Sequence, residues 1–203
     1  MLKAALQSMT METDLAKSKS ATAHYVGLLR GINVGGNKAV SMAALRELME
    51  GLGFGDVKTL LQSGNVVFSG AKQAAEKLER QVEAAIRKKL AVDADVMIRT
   101  ADEWVKIIGA NPFQPMAESD PSHLVLICLK AKPDAGAVAK LQAAIKGREE
   151  VKAIGRELYV TYVDGIGTSK LTNTVIEKNL GARGTARNWN TALKIQGVLS
   201  QHT

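Results

Sequence analysis

Cysteine is nearly absent from this chain. Its one copy, Cys128, lies inside the apolar run Leu124-Val-Leu-Ile-Cys-Leu129 and reads as a buried strand residue. That argues against a disulfide framework, a thiolate nucleophile and a cysteine-based metal site. Long hydrophobic runs are missing too, and nothing approaches the roughly 20 apolar residues that span a bilayer. Met1 to Ala21 mixes Lys3, Glu12, Asp14, Lys17 and Lys19 with short apolar pieces, which leaves no continuous core for a secretory signal. The compartment expected is the cytoplasm. Histidine is scarce: His24 and His123 each begin a predicted strand, and His202 sits near the end. No metal-binding cluster and no nucleophile elbow appears, so no metal and no cofactor are expected. Aromatic residues make up 4% of the chain, which supplies few stacking platforms for single-stranded nucleic acid.

What is present is an ordinary globular composition, 46% hydrophobic and 23% charged, with a formal charge of +7. A basic balance favours acidic partners. Much of that charge is interleaved with glutamate, as in Glu76-Lys-Leu-Glu-Arg80, the pattern of a solvated helix face.

Residues 1–22 read as a mobile or weakly helical N-terminal extension without strong patterning. From His24 the pattern becomes regular. A strand over 24–30 leads into a Gly/Asn loop, then a helix capped by Ser41 with Leu45, Leu48 and Met49 inward. Strands at 57–61 and 66–68 are joined by the hairpin signal Gln62-Ser-Gly-Asn65. An amphipathic helix over 72–90 and a strand over 94–99 come next. The order is βαββαβ, a ferredoxin-like subdomain over 23–115. In that topology the third strand lies between the first two, so the Arg30–Lys38 loop and the Gln62–Asn65 turn are expected at one sheet edge. A second, smaller α+β subdomain over 116–203 repeats the order in weaker form: strand 123–130, helix 134–146, strands 150–154 and 157–163, helix 171–180. A last helix runs from about Asn188 to Ser200.

The loop after the first strand, Arg30-Gly-Ile-Asn-Val-Gly-Gly-Asn-Lys38, does not fit a Walker phosphate loop: Asn37 precedes Lys38, and Ala39 stands where Ser or Thr would bind magnesium. Its glycine spacing does not fit the dinucleotide fingerprint. What remains is a cation-flanked Gly/Asn turn ahead of a helix, which suits an anion or simply a tight turn. Asp164-Gly-Ile-Gly-Thr-Ser-Lys170 is a second such loop, with Thr168 or Ser169 as a helix cap. Gly184-Thr-Ala-Arg-Asn-Trp-Asn-Thr191 concentrates polar residues around Trp189, either as a site or as a packing anchor.

Five segments together (Leu29-Arg-Gly-Ile-Asn-Val-Gly-Gly36, Leu61-Gln-Ser-Gly-Asn-Val-Val-Phe68, Asn111-Pro-Phe113, Asp164-Gly-Ile-Gly-Thr-Ser-Lys-Leu171 and Thr185-Ala-Arg-Asn-Trp-Asn-Thr191) resemble a widespread bacterial domain-of-unknown-function family. The resemblance implies two α+β subdomains, the first ferredoxin-like. It implies no reaction, cofactor or catalytic residue.

The expected function is binding of a small anionic or phosphorylated ligand. Arg30 and Lys38 would supply charge, the amides near Gly35, Gly36 and Asn37 would cradle the anion, and Asn33, Gln62, Ser63 and Asn65 would orient it. Lys170, Arg187 and Asn190 would close the site from the second subdomain. The alternatives are nucleic-acid binding through the sheet, a metal-independent transferase, and purely structural motifs that pack subdomains or a dimer.

Overall fold

The computed structural model describes residues 21–33 and 39–201; the N-terminal extension, Val34–Lys38 and the last two residues lie outside that range. The first unit is β1 (Thr22–Leu29), α1 (Met42–Gly51), β2 (Gly55–Leu60), β3 (Asn65–Ala71), α2 (Ala75–Leu90) and β4 (Val96–Thr100). After it come α3 (Ala101–Gly109), the short α4 (Gln114–Ser119) and a 3-10 turn at Pro121–His123. The second unit is β5 (Leu124–Leu129), α5 (Ala135–Ala144), β6 (Glu150–Ile154), β7 (Glu157–Thr161), α6 (Asn173–Leu180) and β8 (Gly184–Asn188), closed by α7 (Trp189–Leu199). Each unit carries a four-stranded antiparallel sheet, in the orders β2-β3-β1-β4 and β6-β7-β5-β8. Among the described residues no helix is long and apolar enough to cross a membrane.

The two orders are the same, and β8 makes them so. Gly184–Asn188 reads from sequence as the lead-in to the last helix, because Gly184, Ala186 and Asn188 are weak strand formers. It forms a strand because β5 offers an open edge, with Leu126 paired to Arg187 and Leu129 to Gly184. The second unit is thus a full βαββαβ. The cap of α6 also differs from expectation. Thr172, rather than Thr168 or Ser169, accepts the Val175 amide, while Ser169 accepts the Leu171 amide and donates to Glu149.

Strand alternation sorts the core into layers. Tyr25, Leu29, Val66, Phe68, Val96 and Ile98 pack outward against α1 and α2. In α2, Leu78, Val82 and Ile86 recur every four residues and form its buried stripe. Val125, Ile127, Leu129, Leu158 and Val160 do the same against α5 and α6. The opposite faces (Val26, Leu28, Val67 and Met97; Leu124, Leu126, Cys128 and Tyr159) share one central cluster with Trp104 and Ile107 of α3 and Trp189, Ala192, Ile195 and Leu199 of α7. The two trailing helices therefore lie between the sheets, where the Trp104 indole donates to the Ala192 carbonyl. Both start on caps at corresponding positions: Thr100 makes a capping box with Glu103, and Asn188 accepts the Asn190 amide. Such caps contribute about 0.5–2 kcal/mol each.

Polar residues complete the correspondence between units. Leu29 and Leu129 end the first strands, and their amides bond Gly64 and Arg156, the residues before β3 and β7. Asn65 pairs in register with Leu28, and Glu157 with Cys128. Arg99 on β4 and Arg187 on β8 both point inward across the seam. Arg99 donates to the Leu129 carbonyl at 2.9 Å and Arg187 to the Leu29 carbonyl at 2.9 Å.

Candidate functional site

Three of the five sequence motifs meet at this seam. The Leu29–Asn33 strand end, the Gln62–Asn65 turn and the Thr185–Arg187 strand are joined by hydrogen bonds. The expected proximity of the first loop to the Gln62–Asn65 turn has a direct form: Asn33 donates its side-chain amide to the Gln62 carbonyl at 2.7 Å and to the Val40 carbonyl at 2.8 Å. The Asn33 oxygen accepts the Val40 amide at 2.8 Å. Asn33 sits at φ 55, a left-handed conformation that asparagine tolerates better than most residues. It pins both ends of the loop that contains Gly35, Gly36, Asn37 and Lys38, which themselves lie outside the described residues. Gly64, at φ 73, has no room for a side chain, since a Cβ would stand 2.7 Å from Ile32 Cδ1 and 2.8 Å from Leu29 Cβ.

The arginines here are engaged with the protein itself. Arg30 forms a bidentate pair with Glu177 at 2.7 and 2.8 Å, with Asp95 at 3.7 Å on the other side. The Glu177 carboxylate holds the Arg30 guanidinium above its ordinary pKa. Arg187 is 6% exposed. Its Nη1 donates to Thr185 Oγ1 and the Ala186 carbonyl, its Nη2 to the Leu29 and Ser63 carbonyls, and its Nε to Asn65 Oδ1. All five N–H groups are used, and none reaches a carboxylate. Burial without a countercharge pulls this guanidinium down to about 10. Asn65, fully buried, accepts from Arg187 while donating to the Leu60 carbonyl and Ser63 Oγ, a double role that a carboxylate could not fill. Asn190 is exposed in the first turn of α7, its amide bonded to Asn188.

Lys170 lies elsewhere. It lines a cavity of about 490 Å³ between the α5–β6 connection and the Asp164–Leu171 loop, together with Lys146, Glu149, Asp164, Thr168 and Ser169. Arg148 pairs with Asp164 and holds that carboxyl below its usual range, and Glu149 accepts from Ser169. Lys146 and Lys170 make no ion pair among the described residues and are exposed. Among the described residues the two Gly loops start at different places: one follows β1, whose end meets β8, and the other follows β7 at the end where Tyr162 bonds His123. Sequence reasoning did not single out Lys146. The signal was there in the topology, because β6 starts beside the end of β7, with Glu150 paired to Thr161, and this brings residues 145–149 to the loop after β7.

Each unit also serves as a control for the other. The β1–α1 connection spans residues 30–41, whereas the equivalent β5–α5 connection spans 130–134. The β7–α6 connection spans 162–172, whereas β3–α2 spans 72–74. The short versions suffice to close the fold, so the extra chain in the two Gly loops is not a requirement of topology. Both faces of β1, β3 and β4 are covered. Tyr25 and Phe68 are buried and stacked on each other, with ring centroids 5.3 Å apart.

Sheet order, layering and the crossed arginines define a two-unit α+β protein with a ferredoxin-like first unit. The chain belongs to the family described as "Protein of unknown function (DUF1697)", whose model matches residues 22–159. A search of curated proteins finds no match. Among solved structures, the conserved bacterial protein SP0830 from Streptococcus pneumoniae has the same fold, with a TM-score of 0.71 at 20% identity over 88% of this chain and 99% of that one. That coverage takes in both units.

Proposed function

We propose that this protein binds a small anionic or phosphorylated ligand, and that the ligand sits in the cavity beside the second Gly loop. One observation carries the reading: Lys146 and Lys170, neither committed to a carboxylate, line a cavity of about 490 Å³. That volume falls in the range of small-molecule sites. Thr168 and Ser169 lie in the same wall with their hydroxyls donated to the Asp164 and Gly165 carbonyls and to Glu149, so the two lysines carry the attraction for an anion. Calorimetric titration with inorganic phosphate, nucleotides and sugar phosphates tests the reading. Binding that weakens at least tenfold in the Lys146→Ala/Lys170→Ala variant supports it; null heats throughout the panel overturn it.

The first loop and its neighbours favour a different role. Arg30, Asn33, Asn65 and Arg187 direct their polar groups to the protein across the seam. We infer that these motifs fasten the two units together and hold the longer loop in place.

A further inference from the structure

A second cavity, of about 320 Å³, opens at the seam on the Arg99 side. It exists because the correspondence between the units is imperfect at two places. The β2–β3 turn has four residues, 61–64, between the paired Leu60 and Asn65. The β6–β7 turn has two, Gly155 and Arg156, between the paired Ile154 and Glu157. On the Arg187 side the longer turn fills the space and gives the Ser63 carbonyl to Nη2, while Thr185 gives its hydroxyl to Nη1. On the Arg99 side there is no counterpart of Ser63, and Met97 stands where Thr185 stands.

Arg99 is consequently short of acceptors. Its Nε bonds Glu157 at 2.7 Å, Nη1 the Ile98 carbonyl at 2.9 Å and Nη2 the Leu129 carbonyl at 2.9 Å. Among the described residues, one N–H on each terminal nitrogen is left without a partner, although the residue is only 1% exposed. A buried donor with no acceptor is costly, and Arg99 is among the residues that line the cavity.

We propose that this cavity is a binding site for a small carboxylate with an apolar body, whose oxygens take the places that Ser63 and Thr185 hold on the other side. The charge balance selects an anion. Arg99 is matched by Glu157, and Arg156 by Glu76 and Glu103 at 3.4 and 3.7 Å. Lys106 makes no ion pair among the described residues, and within the cavity wall Arg99, Lys106 and Arg156 exceed Glu103 and Glu157 by one positive charge, Glu76 lying outside the wall. Ile107, Ala110 and Ile154 supply apolar wall for the rest of the ligand. Planar carboxylates suit two N–H groups of one guanidinium. This site is separate from the Lys146–Lys170 cavity, so either assignment stands or falls alone.

The test is an amide-resolved NMR titration of the full chain with hexanoate and, in parallel, hexanamide. The expected result is saturable shifts at Ile107, Ala110 and Gly155 with hexanoate, at least tenfold weaker with hexanamide. The Lys106→Glu variant, changed on an exposed helix position, should stay folded and bind hexanoate at least tenfold more weakly. Shifts that never saturate at those amides, or equal affinities for acid and amide, would overturn the proposal. Phosphate shifts confined to Lys146–Glu149 and Thr168–Lys170 report on the other cavity and leave this one unaffected.

Discussion

Arg99 and Arg187 exchange places across the seam: each leaves the last strand of its own unit and donates to the final carbonyl of the other unit's first strand, Leu129 and Leu29 respectively. The two differ in charge balance. Arg99 faces Glu157, while Arg187 faces the neutral Asn65. The same geometry is therefore held with two kinds of partner, a carboxylate on one side and an amide oxygen on the other.

That difference is measurable. Arg99→Met leaves Glu157, a largely buried carboxylate, without its cation, and such a break costs about 3–5 kcal/mol. Adding Glu157→Gln removes the stranded charge, so urea unfolding of the double variant should recover part of the loss. If the second substitution instead adds its own full cost, the pair is not coupled.

Cys128 gives a pH dependence with a definite sign. Burial pushes its thiol from 9.0 up to about 11. Between those values the unfolded chain releases the proton and the folded chain keeps it, so stability falls as pH rises through the interval. Two units correspond to about 2.7 kcal/mol. Cys128→Ala should flatten that part of the stability–pH curve. In the native protein at pH 8 the thiol should react with Ellman's reagent only at the rate of unfolding.

Asn33 separates backbone from side chain. Asn33→Ala removes three hydrogen bonds and leaves an alanine at φ 55, with an expected cost of about 2–3 kcal/mol. Asn33→Gly relieves the backbone term alone, of about 1 kcal/mol. In both variants the Val40 amide should exchange with solvent markedly faster. Unchanged protection of Val40 would contradict the clamp.

Arg30→Ala is the mild case. The pair with Glu177 is about one-third exposed on the arginine side, so its loss should cost at most about 1 kcal/mol, and less in high salt. A larger, salt-independent loss in thermal unfolding would mean that Arg30 does more than close this pair.

Sequence reasoning recovered the elements that rest on local pattern. The stripe of α2, the Ser41 cap and the hairpin at Gln62–Asn65 are written in neighbouring residues, and the first sheet order followed from them. It missed β8, because Gly184, Ala186 and Asn188 give that segment little strand propensity and its pairing with β5 orders it. The sites divide in the same way. The closeness of Asn33 to Gln62 was legible from topology. The commitment of Arg30 to Glu177 was not, because 147 residues separate the two and nothing local to either names the other. Lys146 was within reach of the sequence, because the strand pair at 150–154 and 157–163 is expected there and brings residues 145–149 beside the loop after β7.

The placement of the trailing helices has a consequence for the order of events at the ribosome. Each unit has the strands and helices of an independent domain, yet Val26, Leu28, Val67 and Met97 on the inner face of the first sheet are covered by residues as late as Leu199. In a nascent chain that has completed β4, only α3 is at hand to cover that face, and part of it waits for α7 to emerge. The inner face of each half is thereby completed by residues of the other, and a ribosome stalled before Trp189 holds a first half whose cover is unfinished.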